Sequence, residues 1–200
     1  IFKDNVVIIT GSSSGIGAAT AILFAKEGAQ VVIVGRNELK LKYVAEKCAK
    51  YGKTPLIIKI DIVNNAGIIG KDSIDEDMSQ LTKGSVVNVS STAGSRPCPM
   101  ISYSVSKAGL EHFTRCVALL VAKSGVRINT VSPGPVVTDI IENSKITDMG
   151  TYEDWGAYSP LERVLQPEEI AEMIAYLSSD KAKGITGANF AVDNGANLKF

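Results

Sequence analysis

The chain alternates short apolar runs with longer segments in which apolar residues recur every three or four positions. The short runs are rich in valine and isoleucine, as buried strands are. The runs that we predict as strands are residues 5–10, 30–35, 55–60, 63–67, 85–90, 126–133 and 189–195. Because these runs are almost continuously apolar, they indicate a parallel sheet that is covered by helices on both faces.

The longer segments predict helices between the strands. Gly28 and Gly125 end two of them, and a proline followed by two glutamates begins the last. The predicted helices cover residues 16–27, 37–51, 102–125 and 167–179. The residues available for the buried side of the second helix are Leu39, Leu41, Val44, Ala45 and Cys48. We therefore predict an α/β fold in one domain that spans residues 1–200.

Composition and charge argue against several classes of partner and site. The 200 residues carry 21 basic and 21 acidic side chains, so no global field attracts nucleic acid or an anionic membrane. No apolar run reaches the roughly 18–20 residues that span a bilayer. Cys48, Cys98 and Cys116 have no metal-ligand or disulfide-framework spacing. We expect no metal site, three ordinary buried or partly buried thiols, and a reducing compartment, the cytoplasm.

The turn between the first strand and the first helix reads TGSSSGIG, residues 10–17. Its glycines permit a tight turn and the close approach of a pyrophosphate, which the N–H groups at the helix N-terminus bind. The serines add hydroxyl donors, whereas a plain strand-to-helix turn is the alternative interpretation. The residues that we predict to bind a dinucleotide here are Gly11, Ser13, Ser14, Gly15, Ile16 and Gly17.

The second strand is followed by Arg36 and Asn37. A site selective for NAD usually places an acid here, about 20 residues beyond the glycines, to bind the ribose hydroxyls. A guanidinium instead suits a 2′-phosphate by its charge and its forked geometry. We predict that both residues contact the cofactor and that it is NADP(H), with NAD(H) possible. The alternative interpretation of Arg36 is a solvated charge at a strand end with no role in binding.

Tyr103 and Lys107 are four residues apart and share one face of a predicted helix. A phenol has a pKa of about 10, and a nearby ammonium favours the phenolate, which makes the tyrosine a candidate general acid/base. Such a pair by itself is usually a surface pair. Here the segment SSTAG, residues 90–94, follows a strand a short way upstream, and a hydroxyl at that strand end can bond a substrate oxygen.

These segments together resemble the short-chain dehydrogenase/reductase family, in order and over nearly the whole chain. The matching segments are TGSSSGIG (10–17), NNAG (64–67), SS (90–91), YSVSK (103–107), SPGPVVTD (132–139) and TGANFAVDNG (186–195). The resemblance implies a Rossmann-type doubly wound parallel sheet with helices on both faces. It also implies reversible hydride transfer between the nicotinamide cofactor and a carbonyl or alcohol.

The resemblance also implies the roles of individual residues. Tyr103 is the acid/base, Lys107 lowers its pKa and binds the nicotinamide ribose, and Ser91 polarises the substrate carbonyl or alcohol. Ser91 precedes Tyr103 by 12 residues, one fewer than is common in the family, so Ser90 is the weaker alternative. The further cofactor contacts that it implies are Asp61 and Ile62 at the adenine, Asn65, Ala66 and Gly67 near the adenosine ribose, and Pro133, Gly134, Val136 and Thr138 towards the carboxamide.

Residues 139–165 lie where the family has its substrate lid. Tyr152, Trp155 and Tyr158 there either line an apolar pocket or pack the lid onto the body, and the apolar option suggests a small lipophilic carbonyl or alcohol substrate. His112, the single histidine, is expected to be a packing or interface residue. The family resemblance alone implies a homotetramer or homodimer.

The stretch IDIVNNAG, residues 60–67, joins two predicted parallel strands almost directly and leaves no room for a crossover between them. Parallel strands need a crossover of a dozen or more residues, and residues 68–84 contain no match for the family's catalytic asparagine. Either the sequence joins pieces of a longer protein, with segments missing near 62–63 and within 68–84, or the chain is truly shortened. We favour the first interpretation because the flanking motifs are intact.

Two other functions stay open at this point. The missing asparagine favours a non-catalytic NADP(H)-binding scaffold or sensor of the same fold. A third interpretation keeps the fold and makes the reaction an isomerisation or a dehydration.

Overall fold

The computed structural model describes residues 1–59, 84–139, 150–157 and 159–198. These residues form six strands and five α-helices. The strands are β1 (Val6–Thr10), β2 (Gln30–Gly35), β3 (Leu56–Lys59), β4 (Gly84–Val89), β5 (Val126–Pro133) and β6 (Asn189–Val192). The helices are α1 (Gly15–Lys26), α2 (Glu38–Ala49), α3 (Ile101–Val121), α4 (Tyr152–Ala157) and α5 (Pro167–Ser178). The predicted strand at 63–67 lies outside the described residues.

The described residues divide into two compact units. The first comprises residues 1–59, 135–139, 150–157 and 163–175, and the second comprises residues 84–134, 159–162 and 176–198. The prediction of one domain over residues 1–200 stays a prediction.

The first unit contains a parallel sheet in the order β1-β2-β3. Alternate residues of a strand point to opposite faces of its sheet. One face carries Ile9 and the fully buried Ile33, and α1 and α2 pack against the sheet. The opposite face carries Ile8, which is 68% exposed. The buried core of this unit therefore lies on the helix side of the sheet.

The second unit contains a parallel sheet in the order β4-β5-β6. Central strand β5 is buried along almost its whole length. Its buried Asn129 donates to the carbonyl of Ile185 at 2.9 Å and accepts the N–H of Ala188 at 3.1 Å, so its amide group is satisfied. Helix α3 packs on this strand through an apolar cluster that includes Val121 and Ile128. The position of α3 is thus set by the sheet.

The structure corrects three local predictions in the described ranges. The last strand ends at Val192 rather than at residue 195, because the Asp193 carboxylate accepts the N–H groups of Gly195 and Asn197 and turns the chain. Leu39 is 79% exposed, since it lies two residues before buried Leu41 and therefore on the other side of α2. Helix α4 was not predicted, because six residues are too few to show a helical period.

Exposure also corrects one single-residue prediction and removes one of two alternatives for another. Cys116 is exposed rather than buried or partly buried. His112 is exposed as well, with a ring nitrogen 3.4 Å from the Arg115 guanidinium. It therefore does not pack into the core of the described residues, and the alternative, an interface residue, stays a prediction. Among the helices that the structure describes, none is both long and apolar enough to cross a membrane.

Two of the three thiols, Cys48 and Cys116, should differ in reactivity, which labelling can test. Burial raises the pKa of the Cys48 thiol to about 11, so the reactive thiolate is scarce near neutral pH. We expect iodoacetamide at about pH 8 to label exposed Cys116 and to leave Cys48 unmodified until denaturant is added, as read by peptide mass spectrometry. Equal labelling of both thiols in the folded protein would contradict this.

Candidate active site

The glycine- and serine-rich turn is fastened to β2 by a serine. The hydroxyl of fully buried Ser12 donates to the carbonyl of Val34 at 3.2 Å and accepts the N–H of Val34 at 2.8 Å. Ser13 lies against Gly35, the last residue of β2. The predicted pyrophosphate turn and the end of β2 are therefore brought together in the first unit.

Two glycines let the chain approach itself closely in this turn. A Cβ on Gly17 would lie 2.4 Å from the carbonyl oxygen of Gly11. Gly15 has a φ of 53°, and a Cβ there would lie 2.9 Å from Cγ2 of Thr138. The side chain of Ser14, the residue before α1, makes no capping hydrogen bond. Ser14 therefore leaves the first N–H groups of the helix to an anion, as far as the described residues show, and Gly11, Ile16 and the neighbouring residues fit a dinucleotide pyrophosphate.

The charges after β2 suit a phosphate. Arg36 is exposed, and Asn37 caps α2, with its side-chain oxygen accepting the N–H of Lys40 at 3.0 Å. Glu38, the first acid, lies 2.9 Å from Lys42 and 3.5 Å from Lys59. The hydrogen bond from Lys42 lowers the pKa of Glu38. Its negative charge is therefore balanced by two cations of its own surroundings.

The residues after Pro135 return to the glycine turn. Val136 is buried and pairs with Leu165 in an isolated bridge. Asp139 accepts a 2.6 Å hydrogen bond from Lys40, which lowers the pKa of the carboxyl, and a bond from Ser14 lowers it further. A cavity of about 360 Å³ opens beside the turn, and among its lining residues are Gly15, Ala18, Ile22, Thr138, Asp139 and Tyr152.

Tyr152 holds this returning segment in place. Its hydroxyl donates to the carbonyl of Thr138 at 2.6 Å and accepts the N–H of the same residue at 3.1 Å. The Trp155 ring lies edge-on to it, with ring centroids 5.7 Å apart. Tyr152 thus packs the returning segment and also lines the cavity beside the turn, so the geometry does not choose between the two interpretations. Tyr158 lies outside the described residues.

The three predicted catalytic side chains lie in the second unit, on two elements of its fold. Ser91 directly follows β4 and Ser90, and it begins a short 3-10 turn at Thr92–Gly94. Its half-buried hydroxyl oxygen accepts the N–H of Ala93 at 3.2 Å. Tyr103 and Lys107 lie in the first two turns of α3. Pro133 ends β5 in the same unit, and the N–H of Gly134, the next residue, donates to the carbonyl of Val192 at 3.0 Å.

The lysine lies over the tyrosine. Nζ of Lys107 is 5.5 Å from the ring centroid of Tyr103 and donates to the carbonyl of Val89 at 3.0 Å. Burial lowers the pKa of the Lys107 ammonium. A cation that is partly removed from water acts more strongly on its neighbours. The arrangement can therefore stabilise negative charge beside the ring.

The two serines after β4 have different surroundings. Ser90 is 4% exposed, and its hydroxyl lies 3.2 Å from the carbonyl of Lys107 and 3.1 Å from Oε1 of Glu111. That hydroxyl is enclosed and partnered, whereas Ser91 is only half-buried. The geometry thus favours Ser91 over Ser90 as the residue that meets a substrate.

Sequence reasoning missed Glu111, a buried carboxylate one turn beyond Lys107. The available signal was an acid on the apolar side of a helix, in line with Thr114 and Val117. Five predicted cofactor residues lie outside the described residues: Asp61, Ile62, Asn65, Ala66 and Gly67.

Comparison with known proteins identifies what the chain resembles. Residues 5–70 match a family described as short chain dehydrogenase, and residues 72–197 match one described as enoyl-(acyl carrier protein) reductase. Cis-4-hydroxycyclohexanecarboxylate dehydrogenase of Sinomonas cyclohexanicum is 32% identical, over 97% of each chain. Glucose 1-dehydrogenase of Gluconobacter oxydans is 33% identical, over 98% of this chain and 93% of the relative.

A solved structure shows the same likeness in the fold. L-Sorbose reductase of Gluconobacter frateurii, in complex with NADPH and L-sorbose, superposes with a TM-score of 0.79. It is 28% identical, and the match covers 100% of this chain and 98% of that one. The predicted Rossmann-type α/β class is therefore confirmed.

The relatives are longer than this chain over the same span. The alignment with the Sinomonas dehydrogenase extends over 246 positions, against 200 residues here. Both interpretations of the short crossover stretch, a shortened chain or missing segments, agree with this difference.

The close approach of α1 to its preceding turn gives a testable pair of variants. Gly17→Ala would force a Cβ against the Gly11 carbonyl, so we expect a loss of about 1–3 kcal/mol in the free energy of unfolding and weaker dinucleotide binding. Gly109→Ala, also within a helix, has no atom of the described residues within 4 Å of its Cβ and should gain about 0.5–1 kcal/mol. Thermal unfolding and dinucleotide titration measure both, and equal effects of the two variants would contradict the account.

Proposed function

Because the chain belongs to the short-chain dehydrogenase/reductase family and is an oxidoreductase of CH–OH groups, we propose that it interconverts a small carbonyl compound and its alcohol with NADP(H), using Ser91, Tyr103 and Lys107. The observation that carries the proposal is the Lys107 ammonium, partly buried, 5.5 Å from the ring of Tyr103. The relatives are dehydrogenases, which favours an enzyme over a non-catalytic scaffold.

Each of the three side chains has a distinct task. In the reduction, the Tyr103 hydroxyl gives its proton to the carbonyl oxygen, and in the oxidation it takes the proton back. Lys107 provides positive charge beside the ring while the proton is away. Ser91 accepts a hydrogen bond from Ala93, so its own hydrogen is left to be donated to the substrate oxygen. That donation fixes the substrate oxygen and polarises its bond to carbon.

When bound, the nicotinamide supplies the carbon that gives or takes hydride. The start of α1 fits the pyrophosphate, because Gly17 leaves no side chain there and Ser14 does not cap the helix. Val136 and Thr138 would contact the carboxamide end.

The NADP(H) preference rests on the charge balance after β2. Arg36 is exposed, and its guanidinium can form two parallel hydrogen bonds to a 2′-phosphate. Glu38, the acid nearest to it in the sequence, is already paired with Lys42. The local balance therefore favours a dianionic phosphate over ribose hydroxyls.

Substrate, assembly and compartment are also proposals. The named relatives act on small ring alcohols and sugars, so we propose a small carbonyl or alcohol substrate here, with its lipophilic character a prediction from the sequence. A homotetramer or homodimer rests on the family resemblance. A cytoplasmic location rests on the three free cysteines.

The acid/base role is tested by Tyr103→Phe. Loss of the transferable proton should lower kcat by about 10²–10⁴-fold and leave NADPH affinity unchanged. Cyclic ketones and ketoses serve as the substrate panel, with NADPH absorbance for turnover and fluorescence titration for binding. Tyr43→Phe, at an exposed tyrosine of α2, is the matched control and should change neither quantity. A Tyr103→Phe enzyme that keeps most of its kcat would refute the role.

The cofactor preference is tested by Arg36→Gln. The variant removes a charge-assisted hydrogen bond to phosphate, so we expect a loss of about 1.5–3 kcal/mol in NADPH binding, roughly 10–100-fold in Kd. NADH lacks the 2′-phosphate and is the internal control, with an unchanged Kd. Equal weakening of both cofactors, or of neither, would show that Arg36 does not read the phosphate.

A further inference from the structure

Glu111 is a carboxylate buried between a helix and a sheet. It is 7% exposed, and its Oε1 accepts hydrogen bonds from Ser90 at 3.1 Å and from Ser132 at 2.9 Å. Within the described ranges, no lysine, arginine or histidine forms an ion pair with it. Burying such a group is costly, and only its hydrogen bonds offset that cost. Its position therefore calls for a reason beyond packing.

The two serines mark the ends of two strands. Ser90 lies between β4 and Ser91, and Ser132 is the residue before Pro133 at the end of β5. A Cβ on Gly94, in the turn after Ser91, would lie 2.6 Å from the same carboxylate oxygen. One oxygen atom of α3 thus meets β5 and both sides of the turn that carries Ser91.

The contact between α3 and the sheet changes character along the helix. At and just beyond its middle the buried residues are polar: Glu111, then Thr114, whose hydroxyl lies 2.9 Å from both Asn88 and Thr130. Near its end they are apolar, Val117 and Val121. Apolar packing is non-directional, whereas hydrogen bonds to a charged group fix distance and angle. The carboxylate contact of Glu111 lies one turn beyond Lys107, closer along the helix to Tyr103 and Lys107 than the apolar contacts are.

We propose that Glu111 is a positioning residue for the oxidoreductase reaction, which sets the place of the Tyr103 and Lys107 helix relative to the Ser91 turn. The inference rests on the proposed function of those three side chains. Glu111 acts through Ser90 and Ser132 and touches no reacting atom. Small misplacements of reacting groups are costly, since about 1 Å can lower the rate 10²-fold.

The test compares Glu111→Leu, Glu111→Gln and a control. Leucine removes both acceptor atoms and should lower kcat by roughly 10–100-fold, with KM for NADPH within about twofold of the native value. Glutamine keeps one acceptor oxygen and should restore most of the lost kcat. With deuterated NADPH, the isotope effect on kcat should rise in the leucine variant, because the chemical step becomes slower. All rates are measured well below the Tm of each variant.

Thr114→Val is the matched control. It removes a polar contact between the same helix and the same strands without touching Ser90 or Ser132. We expect a lowered Tm with kcat close to the native value. If Thr114→Val and Glu111→Leu lower kcat equally, a general loosening of the interface explains the loss and the proposal is overturned. It is also overturned if Glu111→Leu keeps the native kcat at a lowered Tm.

Ser132→Ala keeps the proposal testable if Glu111→Leu does not fold. It removes one donor to the carboxylate and should lower kcat in the same direction by a smaller factor, and an unchanged kcat would count against the proposal. Failure of this inference differs from failure of the proposed function. If Tyr103→Phe leaves turnover intact, the proposed function is refuted. If Tyr103→Phe abolishes turnover but the Glu111 and Ser132 variants keep the native kcat, only the positioning role is refuted.

Discussion

The second unit depends on the contact of α3 with β4 and β5. Its apolar half, around Val121 and Ile128, removes hydrocarbon from water and holds the helix on the sheet. Its polar part fixes the position of the helix along the strands, because the Glu111 carboxylate accepts hydrogen bonds from the hydroxyls of Ser90 and Ser132. The proposed chemistry needs one side chain from a strand end and two from the helix, and this contact is the part of the unit that relates them.

The first unit contains the turn that we propose for the dinucleotide phosphates. In this turn the glycines let α1 approach the preceding chain closely, and Ser12 fastens the turn to β2. Lys40 joins the beginning of α2 to Asp139 in the segment that returns to Gly15, and Tyr152 holds the same segment through the backbone of Thr138. Glu38, the acid nearest to Arg36 in the sequence, is paired with Lys42 and Lys59, so its negative charge is already balanced.

Much of this could be predicted from the sequence, because it depends on local pattern. Strands β2 and β5 begin and end where their apolar runs do, and the glycine turn has the geometry that its spacing indicates. What the sequence could not show depends on contacts between distant residues. Glu111 looks like an ordinary helical residue until folding brings it to Ser132. The sequence singles out Tyr152 but does not show that its partner is the backbone of Thr138. The turn at Asp193 was not predicted. It depends on a hydrogen bond from the N–H of Gly195 to the Asp193 carboxylate, which the apolar pattern of the sequence does not indicate.

Deuterium transfer in the presence of both cofactors tests the central claim most directly. The chain would be given NADPH deuterated at the transferable position of the nicotinamide, an equal amount of unlabelled NADH, and a small ketone that it reduces. We predict an alcohol with one deuterium on the former carbonyl carbon in nearly every molecule, because hydride comes from NADP(H) and Arg36 selects it. Unlabelled alcohol would contradict the NADP(H) preference, and product formed without oxidation of either cofactor would contradict the reductase reaction itself.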